Sequence, residues 1–134
     1  MVRTLRHAAG VAALEELGLP RLRLLIDTMH FMRSGSRVED LASLDPDLIG
    51  YVQLSDVPLV ATNPDYMDEA MFGRLPPGEG ELPLLDILRA LPSDRVISLE
   101  VPSRTWIDAG DDVRVWAGHC VSAARQLLAQ LPGV

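Results

Sequence analysis

Asp27 and His30 stand three residues apart at the end of an apolar run, Leu22-Arg-Leu-Leu-Ile-Asp27-Thr-Met-His30. Two later segments share that design. Tyr51-Val-Gln53-Leu-Ser55 and Arg95-Val-Ile-Ser98-Leu-Glu100-Val101 each carry oxygen-bearing side chains toward their carboxyl ends. Side chains alternate between the faces of a strand, so Gln53 shares a face with Tyr51 and Ser55, and Glu100 with Ser98. Singly, each residue has an ordinary reading: Asp27 caps the next turn, Gln53 is a hydrogen-bonded core amide, and Glu100 pairs with Arg104. Together they are harder to explain, because two buried carboxylates with an amide between them are costly without compensation. A divalent cation removes that cost, and oxygen-only donors suit Mg²⁺ or Mn²⁺.

The elements that must position these residues follow from the apolar pattern. The run from Leu22 to Asp27, opened by Pro20 and closed by a polar turn, reads as a buried strand of a parallel sheet. Such sheets keep their chemistry at the carboxyl ends of the strands. Helices are expected over 3–17, 38–44, 84–91 and about 111–131, with Pro83 suited to a first helical turn. The last has a buried stripe of Val113, Trp116, Cys120, Ala124, Leu127 and Leu131. The 56–81 segment, with Met67 and Met71, reads as a lid or binding loop. A polar loop is expected at 102–110, with Trp106 as its anchor. The resulting order, αβαβαβα, means a parallel sheet covered by helices in one domain spanning 1–134. A doubly wound sheet and part of a (β/α) barrel both satisfy it.

Composition narrows the function classes. The 134 residues suffice for one domain with a real core. A net charge of −7 disfavours nucleic acid and anionic membrane as partners. Cys120 is the single cysteine, which excludes an internal disulfide and fits a reducing cytoplasm. Arg3, Arg6 and an alanine-rich run hint at a signal peptide, but Glu15 and Glu16 interrupt it, so that reading is rejected. No stretch has the length needed to cross a bilayer.

Four motifs in order carry a resemblance. They are Asp27-Thr-Met-His30, Tyr51-Val-Gln53-Leu-Ser-Asp56, Arg74-Leu-Pro-Pro-Gly-Glu-Gly-Glu-Leu-Pro83 and Ser98-Leu-Glu100-Val. This set resembles the xylose-isomerase-like TIM barrels, the sugar phosphate isomerase/epimerase superfamily. The resemblance implies an α/β fold of parallel (β/α) units forming the C-terminal part of a TIM barrel, a half-barrel of about three strands. A complete barrel takes about 250 residues. The resemblance also implies one divalent metal, held by Asp27, Gln53 and Glu100, and substrate oxygens contacted by His30 and Arg74. Glu100 would be one of two glutamates that trade a proton next to a metal-polarised carbonyl, through an enediolate. The other glutamate would lie just upstream of Met1.

The expected activity is a sugar phosphate isomerase or epimerase acting on a small sugar or polyol. Gln53 at a position that also takes histidine resembles the 3-dehydroshikimate dehydratase branch, whose substrate is a cyclic hydroxy acid. The endonuclease branch is disfavoured, because its site is rich in histidine and only His7, His30 and His119 exist here. A silent half-barrel serving as a subunit or interaction module is the reading from another class. Three parallel strands leave two open edges, so a homodimer or a partner chain completing the barrel is expected. Arg74→Ala is expected to weaken ligand binding while leaving the melting temperature nearly unchanged.

Overall fold

In the computed structural model, residues 16–18, 23–110 and 112–131 are described. The expected first helix, 3–17, lies almost wholly outside them. Strand β1 (Leu24–Asp27) runs directly into helix α1 (Thr28–Arg33). Helix α2 (Val38–Ala42) and a 3₁₀ turn (Pro46–Leu48) lead to β2 (Ile49–Leu54). Then come α3 (Tyr66–Phe72), α4 (Leu84–Ala90), β3 (Val96–Leu99), α5 (Arg104–Ala109) and α6 (Val113–Leu128).

The three strands form one parallel sheet in the order β1-β2-β3. Its register sets Asp27 opposite Gln53, and Gln53 opposite Ser98. One face carries Ile26, Val52 and Leu54, which are buried with Met29, Leu41, Leu84, Ile87 and Leu127 in a single core. The other face carries Leu25, Tyr51 and Val96 beneath the polar row, with Leu25 52% and Val96 65% exposed. Burial on one face only is what a wall of a barrel would show. Among the described residues, no helix is long and apolar enough to cross a membrane.

Three helices stand where polar loops are expected. Asp27 starts α1 by accepting the His30 N–H on Oδ1 at 3.0 Å. Asp65 starts α3 by accepting from Met67 and Asp68 N–H groups. Gly110, at φ +71°, ends α5 in the left-handed conformation open to glycine. Trp106 sits on α5 and packs on Trp116 at 4.6 Å between ring centroids, while the Trp116 indole donates to the Val101 carbonyl. It thereby anchors the segment that follows β3. Cys120 is buried on α6, as expected of a small core residue, and burial pushes its thiol pKa up.

The loop after β2 is organised by Asp56. Its Oδ1 accepts from Val57 N–H at 2.9 Å and Leu82 N–H at 3.0 Å, and its Oδ2 from Gly78 N–H at 3.0 Å. Its backbone makes a two-way bridge with Leu75. A Cβ on Gly80 would lie 2.4 Å from Asp56 Oδ1, so only glycine lets the Pro-Pro-Gly-Glu-Gly turn close over the carboxylate. Burial pushes the Asp56 pKa up, against these backbone N–H groups, which pull it down.

Candidate functional site

The candidate site sits at the carboxyl ends of the three strands. The ends of β1 and β2 are tied by one hydroxyl: Thr28 Oγ1 donates to the Ser55 carbonyl at 2.7 Å and accepts Ser55 N–H at 3.0 Å. Beyond β3, Glu100 N–H donates to the Leu54 carbonyl at 3.2 Å, which continues the ladder by one residue. Glu100 therefore follows Ser98 by two positions, on the face that carries Asp27 and Gln53.

Arg74 reaches this ridge because residues 73–75 are strapped across it. Leu75 bridges Asp56, Gly73 bridges Ser103, and Arg74 N–H donates to the Pro102 carbonyl at 3.2 Å. The guanidinium is then 2% exposed and hydrogen-bonded on every nitrogen. Its Nε donates to the Ala70 carbonyl at 2.9 Å, one terminal nitrogen to Asp27 Oδ2 at 2.6 Å, and the other to His30 Nε2 at 3.0 Å. Longer contacts reach Ser55 Oγ at 3.4 Å and the Glu100 carbonyl at 3.5 Å. His30 Nδ1 in turn meets the Tyr66 hydroxyl.

This network joins Asp27, Arg74 and His30, which the sequence places in one site. Glu100 enters it only through its backbone carbonyl, and the Gln53 side chain stands outside it. Arg104 pairs with Asp68 at 3.1 Å and covers the Phe72 ring, so it is not the partner expected for Glu100. Asp27 does act as a cap, as its ordinary reading has it, but it is also half of a buried ion pair.

Tyr66 is the member that the sequence reading missed. An aspartate followed by Asp68 and Glu69 is a helix-start signal, and it was available within the presumed loop. Helix α3 is fixed at two points. Arg33 grips Glu69 through two nitrogens at 2.9 and 2.8 Å and also donates to the Pro58 and Leu59 carbonyls. The hydrogen bonds that Arg33 donates to Glu69 raise the Arg33 pKa, outweighing burial. The Arg104–Asp68 pair makes the second point.

Three oxygen donors lie along this face, and they fit a hard divalent cation in kind. Among the described residues no three His, Cys, Asp or Glu side chains gather as a metal set, and the acidic side chains on this face are those of Asp27 and Glu100, with the Gln53 amide between their strands. Each Asp27 oxygen has a second lone pair beyond the one given to His30 or Arg74. Arg74 already cancels one of the two negative charges, which lowers the attraction for a cation.

The comparisons with known proteins agree with this architecture. A family model described as xylose isomerase-like TIM barrel matches residues 1–120. A xylose isomerase domain protein from Alicyclobacillus acidocaldarius subsp. acidocaldarius is similar at 27% identity and a TM-score of 0.71, over 91% of this chain and 42% of that one. The IOLI protein, solved with a zinc atom, shares the fold at 19% identity and a TM-score of 0.66, over 90% and 41% of the two chains. A xylose isomerase-like TIM barrel/4-hydroxyphenylpyruvate dioxygenase fusion protein does so at 22% and 0.64, over 96% and 22%. No curated protein matches. The chain thus spans about two fifths of the first two structures, and its three parallel (β/α) units are part of a TIM barrel. By the match over residues 1–120, the chain belongs to the xylose isomerase-like TIM barrel family.

Proposed function

We propose that this chain carries half of the active site of a sugar or polyol isomerase or epimerase, with proton transfer next to a carbonyl as its reaction. The single observation that carries the reading is that Asp27 and Gln53 stand level at the ends of β1 and β2, with Glu100 two residues beyond Ser98 on the same face. Asp27, Gln53 and Glu100 would hold a divalent cation, with Mg²⁺ and Mn²⁺ matching their oxygen donors. When bound, such a cation supplies Lewis-acid polarisation of a substrate carbonyl.

The protein's own groups divide the remaining work. Glu100 is half-buried, and among the described residues its carboxylate has no hydrogen-bond or ion-pair partner. It is free to take a proton from the carbon beside the carbonyl as general base. Arg74 fixes the Asp27 carboxylate and the His30 ring, and His30 orients substrate oxygens. Incubation with Mn²⁺ and a panel of ketoses in D₂O tests this division. Deuterium should enter beside the carbonyl, and Glu100→Gln should abolish it. Entry that persists in Glu100→Gln removes the glutamate from the chemistry.

The open face bears on the partner. Leu25 and Val96 are apolar and more than half exposed on a sheet whose two edges are unpaired among the described residues. Such a face is normally covered by protein. We propose that a second copy or a chain with the remaining (β/α) units covers it, in the cytoplasm. Light scattering on the chain at micromolar concentration should show a dimer or larger. A well-folded monomer there contradicts the assembly.

A further inference from the structure

Strand β1 stops while β2 still needs a neighbour. Asp27 is both the last residue of β1 and the cap of α1, so from Thr28 onward the backbone turns into the helix and leaves the ladder. That ladder is short. Its register shifts between Leu24 and Leu25, which leaves three regular pairs, Leu25–Tyr51, Ile26–Val52 and Asp27–Gln53. Two residues beyond Gln53, Ser55 is completely buried, and its N–H and C=O need partners on the β1 side. Thr28, equally buried, serves both with one oxygen, donating to the Ser55 carbonyl and accepting the Ser55 N–H. A hydroxyl can do this because it donates and accepts, whereas a carboxylate only accepts. On the other side, Glu100 N–H holds the Leu54 carbonyl. The end of β2 is thus pinned from both sides, directly beyond Gln53.

We propose that Thr28 is a positioning residue whose hydroxyl stands in for the next rung of the β1–β2 ladder and so holds Gln53 level with Asp27. The inference rests on the half-site reading above, in which these two side chains and Glu100 share a cation. A small hard cation demands near-ideal placement of its donors, and donors on separate strands keep it only while the strands keep their heights. The group that fixes those heights therefore sets the affinity without touching the ion.

Two substitutions separate the hydroxyl from the rest of the side chain. Thr28→Val keeps the branched shape and removes the hydroxyl, whereas Thr28→Ser keeps the hydroxyl and removes the methyl. Calorimetric titration with Mn²⁺ and metal-free NMR spectra of the full chain are read on both. Thr28→Val should bind Mn²⁺ about tenfold more weakly or worse, and its cross-strand NOEs between Asp27 and Gln53 should weaken. Thr28→Ser should match the wild type in both readouts. Wild-type affinity in Thr28→Val overturns the proposal, as does a Thr28→Ser that binds as weakly as Thr28→Val. Intact Asp27–Gln53 NOEs in Thr28→Val overturn it whatever the affinity. Where Thr28→Val does not fold, Thr28→Ala is read by the same criteria. A wild type that binds no Mn²⁺ sinks the half-site reading alone, and the metal-free NOEs still decide the role of Thr28.

Discussion

Arg74→Ala is expected to cost the fold about 3–5 kcal/mol, the usual effect of removing one partner from a buried ion pair. The Asp27 side chain is 4% exposed, and its Oδ2 would lose a charge-assisted bond of 2.6 Å. The Ala70 carbonyl and His30 Nε2 would lose their donor as well. For a domain of this size the melting temperature should drop by roughly 10 °C or more. The sequence reading, in which the 56–81 loop holds Arg74 over the substrate, instead expects a nearly unchanged melting temperature; the burial of the ion pair argues for the loss. The double variant Asp27→Asn/Arg74→Ala should recover much of the loss, because no unpaired charge remains. Thermal unfolding of the three proteins checks it. An Arg74→Ala melting point within about 2 °C of wild type would show that the pair contributes nothing.

Asp56→Ala should be as damaging, for a different reason. Three backbone N–H groups, those of Val57, Gly78 and Leu82, converge on this one carboxylate. Each buried donor left without an acceptor costs about 1–3 kcal/mol, so a total of at least ~3 kcal/mol is expected. The turn around Gly80 would open, and with it the Leu75 bridge that brings Arg74 to Asp27. A pH effect accompanies this. Burial raises the folded-state pKa of Asp56 above its unfolded value, so the native state holds the proton longer. Its contribution to stability therefore falls as pH rises from the ordinary carboxylate range through the raised value. Melting curves over the mildly acidic range should show that slope in the wild type and lose it in Asp56→Asn. Asp56→Ala that melts like the wild type would mean the turn holds itself.

The strands were legible because each is a short apolar run that stops at a polar residue, although only one face of the sheet is buried. β1, β2 and β3 each lie within the expected runs, and the register brings Asp27 and Gln53 level. The short helices α1, α3 and α5 were not legible. None reaches eight residues, too few for an apolar period to show, and each is held by caps and ion pairs instead. The Arg33–Glu69 clamp joins residues 36 positions apart, and the Arg74–Asp27 pair joins residues 47 apart. Nothing in the local sequence reports such a pairing. The family resemblance set Arg74 against substrate, whereas its burial beside Asp27 depends on the strap through Asp56, Pro102 and Ser103. Tyr66 was hidden for the same reason: its contact with His30 exists only once α3 is docked.

The most direct test of the half-site is Mn²⁺ binding by titration calorimetry on the wild type and Glu100→Gln. Three oxygen donors, with one carboxylate already paired to Arg74, should bind Mn²⁺ weakly but measurably. Loss of the Glu100 charge should weaken that binding by about tenfold or more, equivalent to at least ~1.4 kcal/mol. Equal Mn²⁺ affinity in the two proteins would contradict the site and take Glu100 out of it.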